Sequence, residues 1–201
     1  MSTIKSSAEN LTLNADGANN DIIFQSNGSN VATLDQAGLL TATTFAGSGA
    51  SLTGLTASQM PAGSVLQIVN SVLSAEQTST SSTYADTGLT ATMTCASSSN
   101  KILVNVQVGG IRKYGGNTSV NLYLQKDGSN WQKIGVRLGN VDSGTPAAVS
   151  VGGTSGSFLD AVGDTSAHTY KVQYSNRQNT GSVRVSDDGA TSTITLMEIA
   201  G

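Results

Sequence analysis

From Ser64 to the C-terminus, apolar residues alternate with serine and threonine in long runs separated by glycine, asparagine and aspartate. Within residues 87–95, Leu89, Ala91, Met93 and Cys95 share one parity and Thr90, Thr92 and Thr94 the other. Successive side chains of a strand point to opposite faces, so a strict period of two predicts a half-buried β-strand. The same pattern recurs in residues 101–108, with Ile102, Val104, Val106 and Val108 inward, and in 119–126, with Val120, Leu122 and Leu124 inward. KDGSN then reads as a hairpin turn into 131–138, which sets Gln132, Ile134, Val136 and Leu138 on one face and Trp131, Lys133 and Arg137 on the other. After a glycine- and serine-rich excursion over 139–157, further strands are predicted at 168–174, 182–185 and 191–199. With 64–73, these make about eight strands, the number in a jelly-roll sandwich.

Two runs break the alternation. In 64–73, Val65, Val69 and Leu73 oppose Leu66, Ile68 and Val72; in 191–199, Ile194 and Leu196 oppose Met197 and Ile199. A strand apolar on both faces calls for a second covering layer, which a subunit interface would supply.

Before residue 60 the pattern thins. NLTL, DIIF, VATL and LLTATTF are short bursts separated by turn sequences such as DGANN and SNGSN. Each burst offers about two inward residues, such as Leu11 with Leu13 and Ile22 with Phe24. At roughly 1.5–3 kcal/mol per buried side chain, that falls short of the cost of ordering the segment. Identical chains wound round one axis would cover those faces. The glycine-, serine- and threonine-dense stretch 44–63 is a joint. The chain is therefore read as two parts: residues 1–57, a docking and shaft region with its linker, and residues 58–201, a globular head.

Composition narrows the class. Of 201 residues, 28 are Ser, 24 Thr, 15 Asn and 23 Gly, and only 11% are charged. This disfavours helical and coiled-coil folds and leaves an all-β chain. The net charge is −3, with one lysine against six acids in residues 1–100 and nine basic residues against seven acids thereafter. Neither half is basic enough to predict nucleic-acid binding. The lone Cys95 has no internal disulfide partner and is in phase with core residues, so a buried thiol is expected. No apolar leader is evident at the N-terminus, and residues 62–73 fall well short of the roughly 20 apolar residues of a membrane span. A soluble chain without membrane insertion is predicted.

Candidate chemistry is sparse. One His and one Cys do not make a convergent catalytic or metal set, and His168, in phase with Tyr170, Val172 and Tyr174, reads as structural. Asp187 with Asp188 in SDDG, and Asp160 with Asp164 in DAVGD, read as turns. GSGASLTG lacks the GK[ST] ending of a phosphate loop. The expectation is a non-enzyme without cofactor or metal. Binding is a better match, because loops on a rigid sandwich recognise ligands without reactive groups. IRKYGGNTS offers Arg112, Lys113, Tyr114 and Asn117, and YSNRQNTGS offers Asn176, Arg177, Gln178 and Asn179. Such side chains hydrogen-bond sugar hydroxyls and anionic groups, and Tyr stacks on sugar faces.

The run NADGANNDIIFQSNGSNVATLDQAGLLTATTF followed by FAGSGASLTGL resembles the shaft and pre-head linker of bacteriophage fibres, especially those of marine phages. MPAGSVLQIVNSV, STSSTYADTGLTATMT, SSSNKILVNVQV and STITLMEIAG are similar to the C-terminal heads of such fibres, which resemble trimeric jelly rolls of the tumour-necrosis-factor and complement-globular-head type. The resemblance spans residues 10–201 and implies a homotrimer with a short intertwined β shaft. It implies a virion protein, made in the bacterial host cytoplasm and attached by its N-terminal region to phage tail or capsid proteins. Its implied function is that of a short tail fibre whose head adheres to a host surface glycan or protein. The alternative is a capsid-decorating fibre or baseplate protein with no dedicated receptor.

Overall fold

A computed structural model describes residues 13–15, 17, 20–42, 44, 56, 59–140 and 148–201. The predicted burst at Leu11 and most of the glycine-rich joint lie outside these residues. Among those described there is no α-helix, and every sheet is antiparallel. The chain divides into two compact units, Met1–Thr53 and Gly54–Gly201.

The first unit is a meander of β1 (Ile22–Ser26), β2 (Ser29–Leu34) and β3 (Leu40–Ala42), in the order β1-β2-β3. Asn27 and Gly28 both take positive φ, 51° and 78°, which is the turn that matches the twist of a two-residue hairpin. The Asp35 carboxylate accepts the amides of Ala37 (2.9 Å) and Leu39 (2.8 Å) and so shapes the next turn. None of the described residues in this unit is buried. Phe24, expected inward, is 46% exposed, and Ile23, Leu39 and Leu40 are likewise open.

The second unit is a two-sheet sandwich. Its strands are β4 (Val65–Leu73), β5 (Gln77–Ser79), β6 (Ala85–Thr94), β7 (Lys101–Tyr114), β8 (Val120–Lys126), β9 (Ser129–Leu138), β10 (Ala148–Asp160), β11 (Ala167–Asn176), β12 (Ser182–Val185) and β13 (Ser192–Ile199). One sheet runs β4-β13-β7-β12-β5 with β10 also on β7; the other runs β6-β11-β8-β9. Four pairings nest within one another: β8 with β9, β7 with β10, β6 with β11, and β4 with β13. The pairings of β13 with β7 and of β11 with β8 complete the two sheets. On the long β7, β13 takes residues 101–107 of one edge, β12 takes 112–114 of the same edge, and β10 runs along the other.

The alternating positions close the core. Leu89, Met93 and Cys95 of the β6 segment, Ile102, Val104, Val106 and Val108 of β7, and Val120, Leu122 and Leu124 of β8 are all no more than 2% exposed. Facing them are Tyr170 and Val172 of β11 and Ile194 and Leu196 of β13.

Two expectations need correction. First, the excursion after Gly139 is in large part β10, thirteen residues long, which pairs with β7 from Ile102 to Tyr114. Its Gly152, Gly153, Ser155 and Gly156 masked the strand signal, since small residues carry no alternation of hydrophobicity. Second, Trp131 does not stand on a polar face. Bulges shift the β8–β9 register between Leu124 and Gln125 and again near Leu122, so period-two reading fails along β9. Trp131 packs on the core against Phe158 and Tyr170, at ring separations of 5.9 and 5.6 Å, while Val136 is 51% exposed. The second face of β4 is uncovered within the chain: Ile68 is 60% and Val72 58% exposed.

Candidate functional site

The sandwich has two distinct ends. The chain enters it beside its own C-terminus, where the Gly63 amide donates to Ala200 O (2.8 Å) and the Ala200 amide to Ser64 O (2.9 Å). The same proximal end carries the turns β6–β7, β8–β9 and β10–β11. The opposite, distal end carries the β7–β8 loop, residues 115–119, and the β11–β12 loop, residues 177–181. These are the two loops singled out in the sequence, and the fold brings them together.

Their junction is built from short polar side chains. Thr118 Oγ1 donates to Asn176 Oδ1, and the Gln178 amide donates to Thr118 Oγ1 at 3.3 Å. The Arg177 amide donates to Ser119 O (3.0 Å), while Asn176 Nδ2 reaches Gly181 O (3.1 Å) and Thr180 O (3.3 Å). A third segment joins through the Asn176 amide to Ser81 O (2.9 Å) and the Ser82 amide to Asn179 Oδ1. Gly181, at φ +64°, lies so close to the carbonyls of Tyr114 and Gly115 that a Cβ there would collide with them. The loops are thus anchored below and open above, with Asn117, Arg177, Gln178 and Asn179 exposed.

Four of the predicted binding residues sit elsewhere than expected. Arg112, Lys113 and Tyr114 belong to β7 and not to a loop, and Asn176 is the wholly buried hub of the junction. Lys113 is fully buried and its ammonium donates to Gly116 O at 3.1 Å, so it braces the β7–β8 turn from beneath. The run I-R-K-Y-G-G reads as a turn because two glycines follow it, but β10 and β12 both pair through Tyr114 and extend the strand to there.

Arg112 and Tyr114 enter an ion-paired cluster with partners that sequence reasoning left unassigned. The guanidiniums of Arg112 and Arg184 lie 4.5 and 4.2 Å from the centroid of the Tyr114 ring. Asp187, 6% exposed, accepts from Arg112 Nη1 (3.4 Å), Arg184 Nη1 (3.1 Å) and the Tyr114 hydroxyl (3.2 Å). Burial works against its charge, but the bonds from Arg184, Tyr114 and Arg112 prevail and hold the carboxyl below its ordinary range. Asp187 opens a single 3-10 turn, Asp187–Gly189, instead of the plain hairpin turn that SDDG suggests. Gly110, at φ +56°, lets β7 approach this turn, since a Cβ would strike the Asp187 backbone.

The proximal end holds the other titratable groups. His168 is 8% exposed, with Nδ1 2.7 Å from Asp127 and Nε2 3.1 Å from Asp164. The Asp127 bond raises its pKa against the effect of burial, and Asp164 adds to this. Asp160 pairs with Lys126 (2.7 Å) and accepts the Tyr170 hydroxyl (2.5 Å). Glu198, 1% exposed, accepts Gln67 Nε2, the Ala96 amide and Asn100 Nδ2, each at 2.6 Å. Each of these carboxylates is thus tied to donors that knit strands and loops together. Among the described residues no group of three or more His, Cys, Asp or Glu side chains could hold a metal ion, and no helix is long and apolar enough to cross a membrane. No protein-family model matches the sequence, and no curated protein matches it.

Proposed function

We propose that this chain is the protomer of a homotrimeric bacteriophage fibre, whose N-terminal unit attaches to the particle and whose jelly-roll head adheres to the host cell surface. The carrying observation is that the N-terminal unit has no buried residue among those described, while Leu13, Ile23, Phe24, Leu39 and Leu40 are all at least 46% exposed. Such a segment gains its order from other copies of itself. The nested strand pairing supports the jelly-roll reading, since a long hairpin rolled into two sheets pairs its first strand with its last and so inward.

The second uncovered face agrees with this. Ile68, Met197, Leu103 and Leu159 lie in one register row across β4, β13, β7 and β10, and Ile68 and Leu159 are 60% and 56% exposed. Burying such side chains contributes roughly 1–2 kcal/mol each. Neighbouring copies are the covering layer. The junction of the two loops lies at the end away from the point where the chain enters the head, as adhesion requires.

Sedimentation equilibrium of the full chain at micromolar concentration should give three times the 20.4 kDa protomer mass. Ile68→Lys with Leu103→Lys, both on the outer face, should dissociate the assembly and abolish binding of labelled protein to host cells. A monomeric wild type, or a double variant that remains trimeric, refutes the assembly. A trimer that coats no cell type permissive for the phage favours the decorating fibre over the adhesin.

A further inference from the structure

The chain has five tyrosines. Tyr170 and Tyr174 are in the core, and Tyr114 is stacked with two guanidiniums. The remaining two, Tyr84 and Tyr123, meet edge to face on the solvent side of the β6-β11-β8-β9 sheet, with centroids 4.9 Å apart and planes at 86°. Both are half-buried. Apart from Val136 on the edge strand β9, that face is largely threonine, amide and charge, so an aromatic pair there is placed without serving the core.

Register puts Asp86, Gln173, Tyr123 and Lys133 in one row across the four strands. Asp86 is taken up by Lys171 Nζ and Gln173 Nε2, each at 2.7 Å. Lys133 is exposed, lies 5.9 Å from the Tyr123 centroid, and makes no salt bridge among the described residues. The row thus ends in an aromatic ring beside a cation with no carboxylate of its own, on a chain whose net charge is −3.

We propose that this face is a binding platform for an acidic pyranose of a surface polysaccharide, with Tyr123 stacking on the sugar and Lys133 pairing with its carboxylate. Neighbouring strands are about 4.8 Å apart, so one sugar ring spans the two side chains. Gln173 lies beside Tyr123 on β11 with its amide nitrogen on Asp86, which leaves its carbonyl oxygen to accept from a sugar hydroxyl, while Asn121 on β8 is taken up by the Arg137 amide at 2.9 Å. Nucleic acid would call for a basic stripe, which the described residues of this face lack. The proposal rests on the adhesin reading and deepens it by naming a ligand class.

The test is native affinity electrophoresis of the full-length protein in gels containing polygalacturonate, with a neutral galactan as control. Polygalacturonate should retard the wild type and the galactan should not. Tyr123→Ala and Lys133→Met should each weaken retardation at least fivefold, whereas Tyr123→Phe and Arg177→Ala should behave as wild type. Lys133→Met alters an exposed side chain, so its thermal midpoint should match that of wild type and its loss of binding cannot be ascribed to misfolding. Absence of retardation, equal retardation of wild type and both weakened variants, or a loss confined to Arg177→Ala overturns the platform. A trimer that coats cells equally well with Lys133→Met would overturn the platform and leave the adhesin standing; a monomer that coats no cells but binds polygalacturonate through Tyr123 would do the reverse.

Discussion

Glu198 is the most consequential single polar group in the head. It lies on β13, next to the core residue Leu196, yet its carboxylate gathers β4 through Gln67, the β6–β7 turn through Ala96, and Asn100 just before β7. Asn100 in turn accepts the Gly201 amide at 3.1 Å. In Glu198→Ala the Ala96 amide and the Asn100 amide lose their acceptor, while Gln67 keeps Thr94 O at 2.7 Å. The Asn100 donor is buried and the Ala96 amide only partly so; at about 1–3 kcal/mol each, the two set an upper cost of roughly 2–6 kcal/mol. Water reaching the cleft of about 390 Å³ that Ala96 and Asn100 help to line relieves part of this, so about 3 kcal/mol is expected. Glu198→Gln keeps the shape and can still accept from Ala96 and Asn100, but it turns an amide nitrogen toward that of Gln67. It should cost about 1–2 kcal/mol. Burial disfavours the Glu198 charge, but the bonds from Asn100, Gln67 and Ala96 outweigh it and depress the pKa. A depressed carboxylate contributes stability above its unfolded pKa of about 4.3, and that contribution is lost as the pH falls through the folded value. Wild type and Glu198→Gln should therefore differ at pH 7 and converge toward pH 3, as measured by urea unfolding at fixed protein concentration. A variant as stable as wild type at pH 7, or a difference that does not change with pH, would refute the reasoning.

His168 responds in the opposite sense: its raised pKa makes its contribution complete below its unfolded pKa of about 6.5 and lost as the pH rises through the folded value. His168→Gln should thus cost about 1–2 kcal/mol at pH 5.5 and distinctly less at pH 9, and equal losses in urea melts at the two pH values would contradict the clamp between Asp127 and Asp164. Cys95 is 2% exposed, and burial, with Glu198 and Asp160 nearby, pushes its thiol up to about 11. Native protein at pH 8 should resist alkylation for hours and react on unfolding; stoichiometric labelling within minutes would place the thiol elsewhere.

Where alternation is strict, it reads directly as structure. Leu89, Met93, Val104, Val106, Leu122 and Leu124 were each assignable to the core from parity alone, because on a regular strand a residue's face depends only on its place in the count. The misreadings fall where something interrupts the count. Bulges in β9 moved Trp131 inward, and glycine and serine in β10 left no hydrophobic period to detect. The first candidate loop was drawn too long for a related reason. Tyr114 is followed by two glycines, yet both edges of β7 are paired up to Tyr114 by strands distant in sequence. No local pattern reports such pairing. Tyr84 and Tyr123 were equally hidden, since 39 positions separate them and only the order β6-β11-β8 brings them together.

The two ends of the sandwich are held by different chemistry, and this bears on how the head can vary. At the proximal end the fastening groups are carboxylates, Glu198, Asp160 and Asp127, whose partners are specific side chains in fixed places. Changing one leaves a charge or a donor stranded. At the distal end much of the fastening is through backbone: Arg177 is held by its amide to Ser119 O, Gln178 by its amide to Thr118, and Asn176 by its amide to Ser81 O. The Arg177 and Gln178 side chains are exposed and the described loop anchoring rests on their amides, so substituting them should cost under about 0.5 kcal/mol. The buried hub of Asn176 with Thr118, the Asn179 side chain that accepts the Ser82 amide, and the close approach of Gly181 restrict what the loops can be. On the proposed adhesin reading, this asymmetry lets the loops vary in their side chains: side-chain chemistry is fixed where the chain enters, and anchoring is through backbone at the distal end.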